Sequence, residues 1–325
     1  MSSLDYYRQL ASLLAQEPVV LCTVTSIQGS VPREAGAKMM VYAEGCLGTI
    51  GGGAGEAKVI QQARIALETG AKQVVEIDLS GAPHRETQGI CGGRMQVWLE
   101  YWSGARAIAL VQQILSRLES GKPITLITPF DADQFPYLSD RSETLTNALI
   151  NAFIEVLQPP PILLIVGAGH VGKQLAKVAD LIGFEIVVQD DRPEWANIAH
   201  YPQAKMICTG TIADVIQPFS THPYLYVALV TRGFQQDLEA LNLLLQHKCQ
   251  YIGMIGSEKR VRQVYQTLEK NGIAKTKLKT IYAPIGLDIG ALTPAEIAVS
   301  IGAELIMVRR GGTGRSLCDR LKAIF

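Results

Sequence analysis

A glycine-rich turn at residues 167–172 has the spacing of a dinucleotide-binding loop. It reads G-A-G-H-V-G and directly follows the apolar segment 162–166. In such loops the first glycine allows a tight turn, the second lets the backbone approach a diphosphate, and the third lets helix and strand pack closely. We therefore predict that Gly167, Gly169, Gly172 and the start of the following helix bind a phosphate. His170 either contacts the same ligand or only packs near the turn.

Acidic and basic residues at the ends of later apolar segments complete this pattern. Asp190 and Asp191 follow about 20 residues after the loop, where a carboxylate can accept hydrogen bonds from ribose hydroxyls. Arg232 follows the apolar segment 224–230, and Asp288 lies in the glycine-rich segment 283–290. All four are candidate ligand contacts. The alternatives are that the glycines serve only the turn, and that Asp288 bonds its own backbone.

A second glycine cluster occurs at residues 48–56, which read G-T-I-G-G-G-A-G-E. Successive backbone N–H groups without side chains can form a nest for an anion. The predicted binding residues are Thr49, Gly51, Gly52, Gly53 and Glu56. Glu56 is alternatively a plain carboxylate in the first turn of a helix. Upstream, Arg33 is either a surface charge or a group that binds phosphate or carboxylate through its planar fork.

A cysteine flanked by glycines at residues 89–93 forms the third cluster. In the sequence G-I-C-G-G, backbone N–H groups near Cys91 can favour its thiolate, which is a nucleophile and a ligand for soft metals. Cys91, with Gly92 and Gly93, is therefore the candidate catalytic and metal-contacting group. A structural role is the alternative. None of the six cysteines forms a C-x-x-C pair, and no Cys/His group has zinc spacing.

Composition limits the classes of protein to which these clusters can belong. Hydrophobic residues make up 48% of the 325 residues, and 30 basic residues balance 30 acidic ones. A disordered chain would be poorer in apolar residues, and a nucleic-acid binder would carry a basic excess. Without an apolar run of about 18 residues or a signal peptide, we expect a cytoplasmic protein that does not bind a membrane. Charged residues are only 18%, which favours an oligomer or partner interface.

The elements that must position the clusters fall into two halves. Residues 158–161 read Q-P-P-P and predict a stiff linker between domains at 1–157 and 162–325. The second half alternates apolar strands with helices, which predicts a Rossmann-like, doubly wound parallel sheet. The first half predicts a mixed α/β domain of undetermined topology, with a helix at 143–156. The fold class is therefore α/β.

Together the clusters resemble the xanthine dehydrogenase accessory factors of the XdhC/CoxI type. The resemblance covers nearly the whole chain and rests on residues 29–33, 36–39, 49–56, 91–93, 167–172, 190–194, 251–257 and 283–298. It implies a maturation factor that binds molybdenum cofactor (molybdopterin), supports its sulfuration and delivers it to an apo-enzyme of the xanthine dehydrogenase type. It also implies a cysteine desulfurase and a second copy of the chain, as a homodimer, as partners. Cys91 would then contact molybdenum, hold the cofactor or assist sulfur transfer.

One position departs from the family pattern. Many members carry His after Thr-Arg-Gly, where this chain has Phe234. Phenylalanine cannot titrate or bind a metal, so no such role is expected there. The ligand of the second domain stays open between NAD(P), the nucleotide part of a dinucleotide cofactor, and none. The alternative functions are an NAD(P)-dependent oxidoreductase, which needs a general acid or base facing the nicotinamide, and a nucleotide-sensing module.

Overall fold

A computed structural model of the chain describes residues 2–79, 92–140 and 151–319. It divides into two compact units, with the division between Pro159 and Pro160. In the described residues no helix is long and apolar enough to cross a membrane.

The first unit is built on an antiparallel sheet of five strands in the order β3-β2-β1-β5-β4, and a smaller antiparallel sheet has the order β7-β6-β8. Its described elements are α1 (Ser3–Leu14), β1 (Val19–Gln28), β2 (Lys38–Tyr42), β3 (Gly45–Gly48), α2 (Gly53–Thr69), β4 (Gln73–Asp78), β5 (Arg94–Trp102), α3 (Gly104–Glu119), β6 (Ile124–Pro129), β7 (Tyr137–Ser139) and β8 (Ala152–Leu157).

The central strand β1 is apolar on both faces because helices cover both sides of the sheet. Val20 and Cys22 are fully buried in a core that includes Val59 and Ala63 of α2. The alternate residues, such as Leu21, pack into a second core formed with α1 and α3. Burial on both faces removes the polar alternation that a half-exposed strand would show.

The prediction of a helix at residues 143–156 is wrong for the residues that the structure describes. Residues 152–157 form the strand β8, which pairs with β6 in the register Ile127↔Ile154 and Thr125↔Val156. Phe153, Ile154 and Val156 are aromatic and β-branched, and such side chains pack well on a pleated surface. Residues 143–150 lie outside the described part of the chain.

The second unit contains the predicted doubly wound parallel sheet, with strand order β11-β10-β9-β12-β13. Its described elements are β9 (Ile162–Val166), α4 (His170–Leu181), β10 (Glu185–Gln189), β11 (Ala204–Cys208), α5 (Ile212–Ile216), β12 (Leu225–Leu229), α6 (Phe234–Leu244), β13 (Tyr251–Met254), α7 (Glu258–Lys270), α8 (Lys275–Leu278) and α9 (Pro294–Arg310), with a short 3₁₀ turn at Gln217–Phe219.

Helices bury both faces of this sheet. Leu164 and Val227 face the core with α6 and α7, while Leu163 and Ile165 face the core with α4 and α9. The sheet order reverses between β9 and β12, so the carboxyl ends of these strands form the crevice where ligands bind in open α/β sheets.

Candidate functional site

The glycine loop of the second unit lies at this crevice, between β9 and α4. Gly167 has φ of 110°, and a Cβ built on it would lie 2.5 Å from the Val230 carbonyl oxygen. A Cβ on Gly172 would overlap the carbonyl oxygen of Gly167. The first glycine is therefore required by the turn and the third by helix–strand packing.

The middle glycine has a different environment. Gly169 is the N-cap of α4 with φ of −75°, a value open to any residue, and a Cβ there would meet no atom within 4 Å. Neither backbone strain nor packing explains a glycine at this position. The neighbouring His170 is exposed, and its ring lies edge-on to Trp195 with ring centroids 5.4 Å apart.

Asp190 is a buried carboxylate with four hydrogen bonds. Its Oδ2 accepts from the Ala168 N–H at 2.7 Å and from Arg192 Nη2 at 2.8 Å. Its Oδ1 accepts from the Arg192 N–H at 3.1 Å and Nε at 2.8 Å. Burial alone would raise the pKa of Asp190, but the bonds from Arg192 and Ala168 lower that pKa to about 2. This carboxylate therefore ties the end of β10 to the glycine loop.

Asp191, its neighbour in the sequence, points to the surface. Its side chain is 64% exposed and forms an ion pair with Arg232, whose Nη2 lies 2.9 Å from Oδ2. Arg232 is 46% exposed. The structure thus joins two sequence-predicted residues, one from the end of β10 and one from the end of β12, in a single exposed pair.

A buried cluster holds the turn after β12; the sequence marks Asp237 as a polar group here but does not predict its partners. Asp237 accepts hydrogen bonds from the Thr231 hydroxyl at 2.5 Å and from Arg260 Nε at 2.7 Å. Arg260 Nη2 also donates to the Thr231 hydroxyl oxygen at 2.9 Å. Burial raises the pKa of Asp237, and the bonds from Thr231 and Arg260 oppose that rise. Arg260 comes from α7, far along the chain, and no local motif marked it.

A pocket of about 530 Å³ opens at this end of the sheet. Gly167, Asp190, Asp191 and Arg232 line it together with residues 209–213 after β11, and Val166, Ile212 and Leu243 supply apolar surface. Gly169, His170, Gly172 and Asp288 are not among its lining residues. Asp288 is exposed in the loop that precedes α9.

In the first unit, the three glycine-containing motifs meet at one end of the five-stranded sheet. A Cβ on Gly93 would lie 2.5 Å from the Gln28 and Ser30 carbonyl oxygens, and one on Gly29 would lie 2.9 Å from the Gly92 carbonyl oxygen. A Cβ on Gly51 would overlap the Pro32 ring. Segment 28–33 therefore contacts segment 92–93 through its backbone and segment 49–56 through the Pro32 ring.

The glycine nest of the first unit binds a carboxylate of its own chain. Oε2 of Glu56 accepts hydrogen bonds from the Thr49 hydroxyl at 2.5 Å, the Ile50 N–H at 3.0 Å and the Gly52 N–H at 3.1 Å. Burial alone would raise the pKa of Glu56, but these bonds hold it below its usual value. The inner N–H groups thus bind Glu56, while the first N–H groups of α2, beginning at Gly53, have no intrahelical acceptor.

Two other predicted residues flank this nest in the sequence. Arg33 is exposed on the segment that follows Pro32. Cys91 lies outside the described residues, but its neighbour Gly92 is fixed by a hydrogen bond from its N–H to the Leu79 carbonyl oxygen at 2.9 Å. Across residues 2–79, 92–140 and 151–319, no group of three or more His, Cys, Asp or Glu side chains is arranged to hold a metal ion.

Known proteins resemble this chain over both units. A Bacillus subtilis (strain 168) protein named as a probable xanthine dehydrogenase subunit is 26% identical, over 94% of this chain and 98% of its own. The Escherichia coli K12 protein named molybdenum cofactor insertion chaperone PaoD is 25% identical, over 92% and 86%. A crystal structure of a xanthine dehydrogenase from Bacillus halodurans matches with a TM-score of 0.82 and 27% identity, covering 96% and 97%.

Family models match each unit separately. One described as the XdhC Rossmann domain matches residues 163–305, which include the glycine loop, Asp190, Asp191 and Arg232. The other matches residues 12–78, which include Arg33 and the glycine nest with Glu56. The sequence resemblance is confirmed, and the chain belongs to the XdhC and CoxI family.

Proposed function

We propose that this chain is a maturation factor that binds molybdenum cofactor, supports its sulfuration and delivers it to an apo-molybdoenzyme of the xanthine dehydrogenase type. The observation that carries the proposal is the convergence of segments 28–33, 49–56 and 92–93 at one end of the first unit. Segment 28–33 contacts both of the other glycine motifs, which supports one site with close approach rather than three independent turns.

The chemistry of the first unit suits the phosphate end of the cofactor. Gly52 and Gly53 have φ of 78° and 69°, and a Cβ on either would meet no atom within 4 Å, so the backbone is open there. The start of α2 offers N–H groups and the positive end of a helix dipole. Glu56 shapes the turn by holding its inner N–H groups, and the exposed guanidinium of Arg33 supplies a cation from the neighbouring segment.

Cys91 is the group that we assign to the metal end of the cofactor. A thiolate is a suitable ligand for a soft metal, and Cys91 directly precedes Gly92, which belongs to the cluster of motifs. The cofactor supplies the molybdenum chemistry, while this chain holds and orients it. The proposed partners are the apo-enzyme, a cysteine desulfurase and a second copy of the chain. PaoD, named as an insertion chaperone, supports this assignment over an oxidoreductase.

The second unit is proposed to bind a nucleotide at its crevice. NAD(P) and the nucleotide part of a dinucleotide form of the cofactor are the two candidates. The support is the pocket bordered by Gly167, Asp191 and Arg232 and the open backbone at Gly169.

Pterin retention tests the proposed function. The full chain is purified from cells that make molybdenum cofactor, then denatured and oxidised, and its pterin fluorescence is measured. We expect a stoichiometric signal from the wild type and from Cys46→Ser, which changes an exposed cysteine of the same unit. Cys91→Ser should lose most of the signal. No pterin in the wild type would refute cofactor binding, and equal retention by Cys91→Ser would refute the assignment of Cys91.

A further inference from the structure

The pocket of the second unit lies where an open α/β sheet binds the nucleoside end of a ligand. Its lining residues follow four parallel strands: Gly167 after β9, Asp191 after β10, Thr209 after β11 and Arg232 after β12. Ligands of such sheets lie outside the carboxyl ends of the strands, near the point where the strand order reverses. The apolar side chains of Ile212 and Leu243 offer a surface for a flat base.

Gly169 indicates where a diphosphate approaches. Because neither its φ nor its packing requires glycine, a ligand passing close to the backbone explains the missing side chain. Gly169 is the N-cap of a 12-residue helix, so the N–H groups of the first turn point out of that helix end. A diphosphate here would join a nucleoside in the pocket to the rest of the ligand.

Asp190 is unavailable to a ribose. A carboxylate has about four acceptor positions, and Asp190 already accepts four hydrogen bonds from Ala168 and Arg192. It is 5% exposed. The acid that usually contacts ribose in this fold is here part of the loop structure.

Two exposed acids line the pocket: Asp191 after β10, and Glu239 on α6, whose Oε1 accepts a hydrogen bond from Gln235 Nε2 at 3.1 Å. Asp191 is the one at the end of the second strand, where a ribose lies in this fold. Its side chain is 64% exposed, and the guanidinium groups that pair with it are those of Arg232 and, at 4.0 Å, Arg192. Exposed ion pairs contribute little to stability, so Asp191 can exchange Arg232 for ribose hydroxyls at small cost. A carboxylate only accepts hydrogen bonds, and a 2′-phosphate would place a second anion against it.

We propose that this pocket binds a nucleoside diphosphate whose ribose carries a free 2′,3′-diol, with Asp191 accepting from the diol and the backbone at Gly169 facing the diphosphate. The inference deepens the nucleotide binding proposed above and rests on it. Two sources share this chemistry, namely a nicotinamide–adenine dinucleotide and a dinucleotide form of the molybdenum cofactor.

Calorimetric titration of the full, nucleotide-free chain tests the proposal. The probes are ADP, 2′-phospho-ADP, CDP, GDP and NADH. At least one nucleoside diphosphate with a free 2′-hydroxyl should bind, and where ADP binds, its affinity should be at least tenfold higher than that of 2′-phospho-ADP. Tighter binding of ADP and NADH would identify the nicotinamide–adenine source, whereas tighter binding of CDP or GDP would identify a pterin dinucleotide.

Variants distinguish loss of the proposed contacts from a general loss of stability. Asp191→Ala should weaken ADP binding about tenfold and improve binding of 2′-phospho-ADP, because the freed Arg232 guanidinium suits a phosphate. Gly169→Ala should weaken every nucleotide at least tenfold with little change in melting temperature. Asp180→Ala removes an exposed carboxylate near the end of α4 and should change neither nucleotide affinity nor melting temperature.

Three results would overturn the inference: no nucleotide binds at millimolar concentration, ADP and 2′-phospho-ADP bind equally, or Asp191→Ala leaves ADP affinity unchanged. Pterin retention is measured on the same preparations. A chain that retains pterin but binds none of these probes would overturn this inference and the nucleotide binding proposed for the second unit, but not the binding of molybdenum cofactor. Absence of pterin with intact ADP binding would overturn the binding of molybdenum cofactor and leave this inference standing.

Discussion

The backbone N–H of Ala168 donates a 2.7 Å hydrogen bond to the carboxylate of Asp190, and this bond joins the glycine loop to the end of β10. Arg192 completes the arrangement by binding both oxygens of the same carboxylate. The geometry of the glycine loop therefore depends on an acid whose hydrogen bonds all come from Ala168 and Arg192. Its neighbour Asp191 is left to face the pocket.

Asp190→Asn should destabilise the second unit by about 3 kcal/mol, because Arg192 would lose its buried anionic partner. The free energy of unfolding is measured by urea denaturation of the full chain at neutral pH. Asp191→Asn is the matched control, and its effect should stay below about 1 kcal/mol because both members of its ion pair are exposed. Equal effects of the two substitutions would contradict the assigned roles.

The wild type and Asp190→Asn should differ in their response to acid. The pKa of Asp190 is lowered in the folded state to about 2, from an ordinary 3.8. Its contribution to stability is therefore present above pH 4 and is lost as the pH falls towards 2, amounting to about 2 kcal/mol. The stability difference between wild type and Asp190→Asn should shrink over that interval. A difference that stays constant from pH 5 to pH 2 would contradict the lowered pKa.

Gly167→Ala and Gly169→Ala should have different consequences for folding. The first places a side chain at φ of 110° and against the Val230 carbonyl, and should lower stability by more than about 2 kcal/mol. The second enters open space and should cost less than about 1 kcal/mol, since alanine is only a poorer N-cap. Thermal unfolding distinguishes them, and a Gly169→Ala protein as unstable as Gly167→Ala would show that packing requires this glycine.

Glu56→Ala should open the glycine nest of the first unit. Three donors at Thr49, Ile50 and Gly52 lose their common acceptor. Hydrogen exchange of the Ile50 and Gly52 N–H groups should accelerate at least tenfold, while exchange in the centre of β1 should stay unchanged. Glu56→Gln keeps an acceptor oxygen and should give an intermediate rate. Unchanged exchange at both N–H groups would mean that Glu56 does not hold the turn.

Arg260→Ala should be among the most destabilising single changes in the second unit. It leaves the fully buried Asp237 without its cation, at a cost of about 3–5 kcal/mol. Arg262→Ala, which removes an exposed pair with Glu258 on the same helix, should cost less than about 0.5 kcal/mol. Adding Asp237→Asn to Arg260→Ala should recover part of the loss. Urea denaturation measures all four proteins, and equal stability of the two arginine variants would disprove the buried ion pair.

The sequence predicted the parallel, doubly wound sheet of the second unit but not the sheet topology of the first. The strands of the second unit are buried on both faces and short, so continuous apolar runs such as 162–166 and 185–189 mark them directly. In the first unit, β1 pairs with β5, a strand much later in the chain, and no local pattern encodes that pairing. Local pattern predicts a helix where the strand at 152–157 lies, because that strand forms by pairing with β6, as in Ile127↔Ile154, and a local pattern does not encode this contact.

The candidate sites show the same difference. The sequence predicts the local backbone conformation of each site, but not which side chains fill it. Glycine spacing identified the loop at Gly167 and the nest at Gly51, because the backbone conformation is local. Which anion fills the nest was not predictable, since the sequence allows Glu56 to be either a ligand contact or a helix-start charge. Asp190 and Asp191 are adjacent and of the same residue type. The contacts of Asp190 with Ala168 and Arg192, which the sequence does not show, distinguish the buried acid from the exposed one.

Transfer of pterin to a client enzyme is the decisive test of cofactor delivery by this chain. The cofactor-loaded chain is mixed with an apo-molybdoenzyme of the xanthine dehydrogenase type, the two are separated, and pterin and catalytic activity are measured in the client. We expect pterin to leave this chain and appear in the client with activity, and Cys91→Ser to transfer little. Pterin that stays bound to this chain, or a client that gains equal activity without it, would contradict cofactor delivery by this chain.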